Sequence, residues 1–419
     1  MDLATAFAMI VPPERKVGLR GYDGSSVGMA DAEVFLEIKT PRAVQYIAGS
    51  PNQLGLSRAY VNGDLEIHGD AYEALRRLYP LPLDHLTIAD KAKLAREFAP
   101  FALARPEPPA LERRLRGKRH SKNRDAEAIQ HHYDVSNRFY AYVLGPSMAY
   151  TCAVFPTADA SLENAQEEKF DLVCRKLGLK PGMRLLDVGC GWGGMVLHAV
   201  KNYGVKAIGV TLSKQQALWG QQVIDDAGLS DQAQIRFSDY RDVTETGFDA
   251  VSSIGLTEHI GRANYHSYFT FLLSKLRPEG RLLNHMITRP DGTEPSHYKR
   301  SFINRYVFPD GELSAPGLII SAMNDAGFEI RHDENLREHY ALTLAQWCAN
   351  LEANWEACVA EAGLPTARVW RLYMAASRLG FEINTIQLHQ ILGVKLGENG
   401  KSGIPLRVSG ETWGQPPDV

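Results

Sequence analysis

From about residue 160 onward the apolar positions switch repeatedly between a helical and an extended rhythm. SLENAQEEKFDLVCRKLGL (161–179) spaces its apolar residues along one helix face and carries its acidic residues early. MRLLDVGC (183–190) is a short continuous apolar run that stops at a glycine turn, the pattern of a buried strand. A helix follows, then KAIGVTLS (206–213), a helix from 214, and QIRFSDY (234–240). FDAVSSIG (248–255), FTFLLSKL (269–276) and GRLLNHMI (280–287) continue the series. This alternation predicts an open α/β sheet with helices on both faces and ligands at the carboxyl ends of its strands.

The first 105 residues have a different texture. AEVFLEIKT (32–40) reads as a strand and RAVQYIAG (42–49) as a short helix. LGLSRAYVNGDLEIHGD (54–70) gives a helical run, an Asn-Gly turn and a strand, and DAYEALRRLY (70–79) a helix capped by Asp70. The proline-rich PEPPAL (106–111) and the run ERRLRGKRHSKNR (112–124) then suggest a linker. The expected organisation is an N-terminal domain 1–105, a linker 106–124, a larger α/β domain 125–395 and a tail 396–419.

Composition narrows the classes. With 46 basic against 49 acidic residues in 419, nothing argues for nucleic acid as substrate. No stretch is long and apolar enough for a membrane span or a signal peptide, which predicts a cytoplasmic protein. The five cysteines form no CxxC pair, so free thiols in a reducing compartment are expected and no metal. The run 112–124 is the local exception, with seven Lys or Arg and one acidic residue. It reads either as a solvated linker or as a surface for anionic lipid headgroups.

LLDVGCGWG (185–193) holds the candidate chemistry. Gly189, Gly191 and Gly193 let the backbone turn tightly and approach a cofactor. The spacing is GxGxG rather than the GxGxxG of a nicotinamide dinucleotide site. Asp187 before the first glycine would repel a pyrophosphate and suits a cationic or amino-bearing ligand. Thr211, Ser213 and Gln215 after the next strand are polar and neutral, and Asp239 with Tyr240 offers an acceptor and a ring to an adenine. These features favour S-adenosylmethionine.

Beside the glycine turn stand QHHYDVSNRFY (130–140), YTCAVF (150–155), GVTLSKQQ (209–216), DYRD (239–242), EHIG (258–261), NHMI (284–287), YVFPDGEL (306–313) and HYALTLAQW (339–347). In this order they resemble the cyclopropane-fatty-acyl-phospholipid synthases, a family that includes mycolic acid and fatty-acid C-methyltransferases. LSRAYVNGDLEIHG (56–69) is similar to that family's N-terminal lipid-associated module. The resemblance implies a Rossmann-like class I methyltransferase with a smaller lipid-associated domain. It implies S-adenosylmethionine as donor, an unsaturated acyl phospholipid as substrate, and peripheral association with the inner face of the membrane as a homodimer.

The resemblance also assigns residues. Methyl transfer to an alkene leaves a carbocation, which needs a dry cavity and a base. In this family the base is bicarbonate, and the matching positions here are Cys152, Glu258, His285 and Tyr340, with the backbone of Ile287. For the cofactor the matches are Tyr150, Thr151, Asp187, Gly189, Gly191, Thr211, Gln216 and Tyr240. Phe308, Trp370 and Tyr373 become candidate acyl-tunnel residues. Residue type alone leaves alternatives open: Glu258 as a helix cap, His285 as a satisfied structural histidine, Cys152 and Cys190 as buried thiols, and Tyr340 and Trp192 as packing. Two departures from the family wording matter. Ser377 stands where many members carry cysteine, and LGLSRAYVNGD replaces the commoner GLGESYM-like stretch. A methylene or methyl branch made with a partner reductase is therefore the second expectation beside a cyclopropane.

Overall fold

The computed structural model describes residues 1–30, 32–81, 83–104, 106–112, 124, 136–293 and 301–406. Contacts divide the chain into two compact units: Met1–Arg114 with Pro295–Pro309 and Trp355–Leu379, and Leu115–Glu294 with Asp310–Asn354 and Gly380–Val419. Most of the basic run 112–124 and the start of QHHYDVSNRFY lie outside the described residues.

In the first unit, β1 (Val17–Gly21), β2 (Ser26–Val27), β3 (Val34–Ile38) and β4 (Leu65–His68) form a sheet in the order β2-β1-β3-β4. The helices Pro41–Gly49 and Gln53–Val61 lie where the apolar spacing predicts them, and Asp70 caps Ala71–Leu78 by accepting from the amides of Tyr72 and Glu73. Helices Leu3–Ile10 and Ile88–Leu103 are additions to the predicted elements. The described part of the expected linker is tied down: the Tyr46 hydroxyl donates to the Glu107 carbonyl at 2.5 Å, and Arg58 grips Glu112 through two bonds of 2.6 and 2.8 Å. The Glu112 side chain is 1% exposed and that of Arg58 15%. Breaking a buried pair from one side strands the other charge. Glu112→Ala is therefore expected to destabilise this unit by about 3 kcal/mol, read as a lower urea midpoint.

The division differs from a simple cut near residue 105, because a late helical stretch belongs to the N-terminal unit. Arg368 reaches the Tyr60 carbonyl at 3.3 Å and pairs with Glu66, while Arg371 donates to the carbonyls of Ile67 and Gly69. The Arg378 guanidinium lies 3.5 Å from the Tyr72 ring centroid. Phe308, Trp370 and Tyr373 share this unit, with Tyr373 edge-on to both other rings at 5.9 and 5.8 Å.

The second unit carries the predicted α/β sheet. β5 (Arg184–Val188), β6 (Lys206–Thr211), β7 (Ala233–Phe237), β8 (Phe248–Ile254), β9 (Leu276–Thr288), β10 (Phe328–Asn335) and β11 (Gln387–Lys395) run in the order β10-β11-β9-β8-β5-β6-β7. The five strands β5 to β9 are parallel, and β11 and β10 add an antiparallel edge. FTFLLSKL, one member of the alternating series, belongs to a helix, Tyr265–Lys275, whose Tyr265, Tyr268, Phe269 and Leu272 recur at helical spacing on its buried side. Leu185 and Ala207 pack beneath helices Leu162–Leu177 and Gly194–Tyr203 on one face, and Leu186, Val251 and Met286 pack under Tyr265–Lys275 on the other. The strand order reverses beside β5, which places a crevice at the carboxyl ends of β5 and β8.

Candidate active site

β5 runs straight into the glycine turn. The amides of Gly189 and Cys190 both donate to the Val210 carbonyl, at 2.9 and 3.0 Å, so the turn folds back over β6. Gly189 and Gly191 have φ of +74° and +55°, a region that L side chains rarely adopt. A Cβ at Gly191 would meet nothing within 4 Å, so the backbone there borders open space that a ligand can approach. Gly193 then begins the helix Gly194–Tyr203. Trp192 supports the loop by packing: its indole donates to Asn137 at 2.9 Å and its ring leans on Tyr140.

Asp187, at the end of β5, is buried beneath this turn. It accepts from the Ser252 hydroxyl at 2.6 Å, and burial pushes its carboxyl up to about 6. Facing it is a group the sequence reading missed. Lys169 is fully buried on helix Leu162–Leu177, donates to the Thr151 hydroxyl at 2.9 Å, and is lowered by burial to about 7, with Cys152 and Asp187 opposing. Gln166, one turn earlier, donates to the Thr151 carbonyl at 2.9 Å. The signal was present, since Gln166, Lys169, Val173 and Lys176 recur at three- and four-residue spacing on the face that carries Leu162 and Ala165.

The other cofactor candidates line the same strand ends. The Thr211 hydroxyl at the end of β6 donates to Gln216 of the helix Lys214–Asp226 at 2.8 Å, and both are buried. Gln215, unlike Gln216, is exposed. Past β7, Tyr240 stands edge-on to Tyr268 and Phe271, and Asp239 is clamped by Arg241. Tyr150 joins an aromatic series, with Tyr140 at 5.9 Å and Trp347 at 5.4 Å.

The candidate catalytic residues gather at the ends of β8 and β9. Glu258 lies in the short helix Thr257–Ile260 after β8, and its Oε1 accepts the Ile287 amide of β9 at 2.6 Å. Glu258 and Ile287 are thus brought together, with the Ile287 N–H turned to the glutamate. Oε2 is buried without a partner, and burial pushes the carboxyl up to about 7. His285, two residues before Ile287, is held by its carbonyl, which accepts from Gly255, and by Nδ1, which lies 3.1 Å from the Gln390 amide nitrogen. Its Nε2 is likewise buried without a partner, and burial keeps the ring well below its usual pKa. An acceptor and a ring nitrogen left unsatisfied in one buried region are costly unless a polar ligand fills the gap.

Cys152 and Tyr340 are held more structurally. The Cys152 thiol is fully buried, bonds the Ala153 and Leu336 carbonyls at 3.1 and 3.8 Å, and is pushed up by burial, which makes it a donor rather than a nucleophile. Tyr340, on helix Arg337–Ala353, stacks on Phe381 at 4.4 Å and meets Trp347 edge-on.

Comparison with known proteins agrees with this geometry. The sequence model of the mycolic acid cyclopropane synthetase family matches residues 120–391, more than half of the chain and a range that spans the whole constellation. The chain belongs to this family. It is therefore a methyltransferase of the class that uses S-adenosylmethionine to modify fatty-acyl chains.

Two relatives and one solved structure place it more closely. A probable fatty acid methyltransferase of Mycobacterium tuberculosis is 55% identical over 406 residues, covering 94% of each chain. The cyclopropane-fatty-acyl-phospholipid synthase of Escherichia coli K12 is 34% identical over 281 residues, 67% of this chain and 71% of that one. The crystal structure of mycolic acid cyclopropane synthase CmaA1, solved with S-adenosylhomocysteine and CTAB, superposes with a TM-score of 0.61 at 33% identity, over 64% of this chain and 98% of that one. Family and topology together confirm the expected class I methyltransferase fold with an N-terminal extension. No helix among the described residues is long and apolar enough to cross a membrane.

Proposed function

We propose that the protein adds a methylene bridge across the double bond of an unsaturated acyl chain carried by a phospholipid. The observation that carries this reading is the pair of buried, unsatisfied atoms, Glu258 Oε2 and His285 Nε2, beside a glycine turn shaped for a nucleoside cofactor. S-adenosylmethionine, when bound, supplies an electrophilic methyl group. Gly189 and Gly191 make room for it, buried Asp187 faces its amino group, Thr211 and Gln216 line the pocket beyond β6, and Tyr240 offers its ring to the adenine.

Bicarbonate, when bound, supplies a base for the proton lost from the transferred methyl. Glu258 Oε2 would hold it by accepting its hydroxyl, with His285 Nε2, Tyr340 and the Cys152 thiol around it. The fit is chemical: the free positions are polar, buried and close to groups that cannot themselves act as strong bases. The surrounding chain would keep water out, since most of β5 and β8 and the stretch Leu282–Met286 of β9 are buried and an aromatic series runs from Trp192 through Tyr140, Tyr150 and Trp347 to Tyr340. Water exclusion matters because water would trap the cation as an alcohol.

Contact with a lipid surface is supported in the first unit by Tyr79, Leu81, Leu83 and Ile88, four exposed apolar residues within one short stretch. Phe308, Trp370 and Tyr373 remain the proposed acyl-chain contacts. The 55% relationship to a probable fatty acid methyltransferase leaves room for a second outcome of the same first step, a methylene branch, or a methyl branch if a reductase follows.

The test is to incubate the purified protein with S-adenosylmethionine, bicarbonate and oleoyl phospholipid vesicles, without reductant. Acyl chains are expected to gain one CH2 by mass spectrometry. Upfield ring protons in the NMR spectrum mean a cyclopropane, and exocyclic methylene protons mean the branching reaction. No gain on oleoyl, palmitoleoyl or free fatty acid substrates would overturn the acyl-chain reading.

A further inference from the structure

The register of the antiparallel edge sets up a row of side chains behind His285. His285 of β9 pairs with Gln390 of β11, and Gln390 pairs with Glu334 of β10. Directly paired residues project to the same face of a sheet, so the three side chains form a line across three strands. Helix Leu162–Leu177 covers that face and sends down Lys176, whose side chain is 0% exposed. Its ammonium donates to Gln390 Oε1 at 2.7 Å and pairs with Glu334.

We propose that Lys176 and Gln390 form a positioning relay that holds His285 as its Nε2–H tautomer, so that the buried Nε2 is a hydrogen-bond donor facing the reaction centre. An ammonium has donors and no acceptor, so the Gln390 atom that faces it must be the amide oxygen. The Gln390 nitrogen then faces His285 Nδ1, at 3.1 Å. An amide nitrogen only donates, so Nδ1 accepts and carries no proton. The neutral ring keeps its single proton on Nε2.

The opposite amide orientation would press NH2 against NH3⁺ and set the Gln390 oxygen against Nδ1. Gln390 is fully buried, so no solvent softens that clash. Glu334 keeps the relay polarised. Burial lowers the Lys176 ammonium but the Glu334 charge opposes it, and Glu334 itself is held at about 2, against burial, by His332 and Lys176. The consequence reaches the site. With Nε2 as donor and Glu258 Oε2 as acceptor, a small oxyanion that carries one hydroxyl can satisfy both; with Nε2 as an acceptor, two lone pairs would face the same anion. The hydrogen-bond partner behind a functional histidine thus selects what the other nitrogen does. This inference deepens the proposed function and rests on it for the purpose of the donor, though not for the tautomer.

The test is to label the full-length chain with 15N in its histidine rings and record two-bond nitrogen–proton correlations, with His285 assigned by its loss in His285→Asn. The wild-type protein is expected to show His285 protonated at Nε2 alone. Gln390→Glu places a carboxylate, an acceptor only, against Nδ1, and should move the proton to Nδ1 or charge the ring. Lys176→Met releases the amide and should give a mixture of tautomers, with kcat about tenfold or more lower and KM for S-adenosylmethionine little changed. Should Lys176→Met fail to fold, Gln390→Glu, which can still pair with Lys176, carries the test. A wild-type His285 protonated at Nδ1, or an unchanged tautomer in Gln390→Glu, would overturn the relay. An Nε2–H signal in a protein that methylates no acyl chain would leave the relay standing and sink the functional reading instead.

Discussion

Replacing Glu258 by Gln is expected to lower kcat by about 10²- to 10⁴-fold and, at alkaline pH, to make the folded protein more stable. The variant is close to isosteric, and its amide oxygen can still accept the Ile287 N–H. What it loses is an ionisable oxygen in a buried place. Burial raises the Glu258 carboxyl from its ordinary 4.5 to about 7. A raised folded-state value means that the fold prefers the protonated form. That preference is fully present below about pH 4.5 and is lost as pH rises through about 7. Above that point the wild-type protein holds a buried carboxylate at a cost of about 3 kcal/mol relative to the unfolded chain. Gln carries no such cost. Thermal melts of both proteins at pH 5 and pH 9 should diverge only at the higher value, with the variant melting later. The ionised form is also the one that accepts a proton, so wild-type kcat/KM should rise through about pH 7 and residual activity of the variant should lack that limb. Parallel melting curves at the two pH values would show that Glu258 is not the titrating group.

The parts of this site that were legible in the sequence are those written in one contiguous stretch. LLDVGCGWG carries strand, turn and helix start together, and Asp187 and the glycines sit where that reading placed them. Thr211 was readable from its place after the next strand, whereas Gln216 came only from the family resemblance, the residues alone having pointed to its exposed neighbour Gln215. The contacts that the sequence did not reveal run across the sheet. The Glu258–Ile287 bond joins positions 29 apart and exists only because β9 lies beside β8. Gln390 matters through its register with His285, and no local pattern announces register in an antiparallel edge formed by the last strand. Lys169 and Lys176 were hidden by a general expectation, since lysine on a helix usually marks the solvated face. The same expectation hid Arg368, Arg371 and Arg378, whose contacts place residues 355–379 in the N-terminal unit. In both cases the charge sits on an otherwise apolar face, and that mismatch, rather than composition, is the readable sign of a buried polar role.

The second large effect concerns the cofactor. Asp187→Asn should weaken binding of S-adenosylmethionine by about 10- to 100-fold, the usual worth of one hydrogen bond to a charged group, while the protein stays folded. Asn can still accept the Ser252 hydroxyl, so the local architecture at the end of β5 survives. The charge does not survive, and two things change with it. On the proposed reading, the amino group of the cofactor would lose its anionic partner. Lys169, already near 7 because of burial, loses the Asp187 charge that opposes its deprotonation, so its ammonium gives up its proton more readily. Titration calorimetry with both S-adenosylmethionine and S-adenosylhomocysteine separates the possible roles. The two ligands share the amino group and differ at sulfur, so equal weakening assigns Asp187 to the amino end. Weakening of S-adenosylmethionine alone would instead assign the carboxylate to the sulfonium. Unchanged affinity for both would reduce Asp187 to a structural counter-ion of Lys169, and the cofactor reading of the glycine turn would then have to rest on the backbone alone.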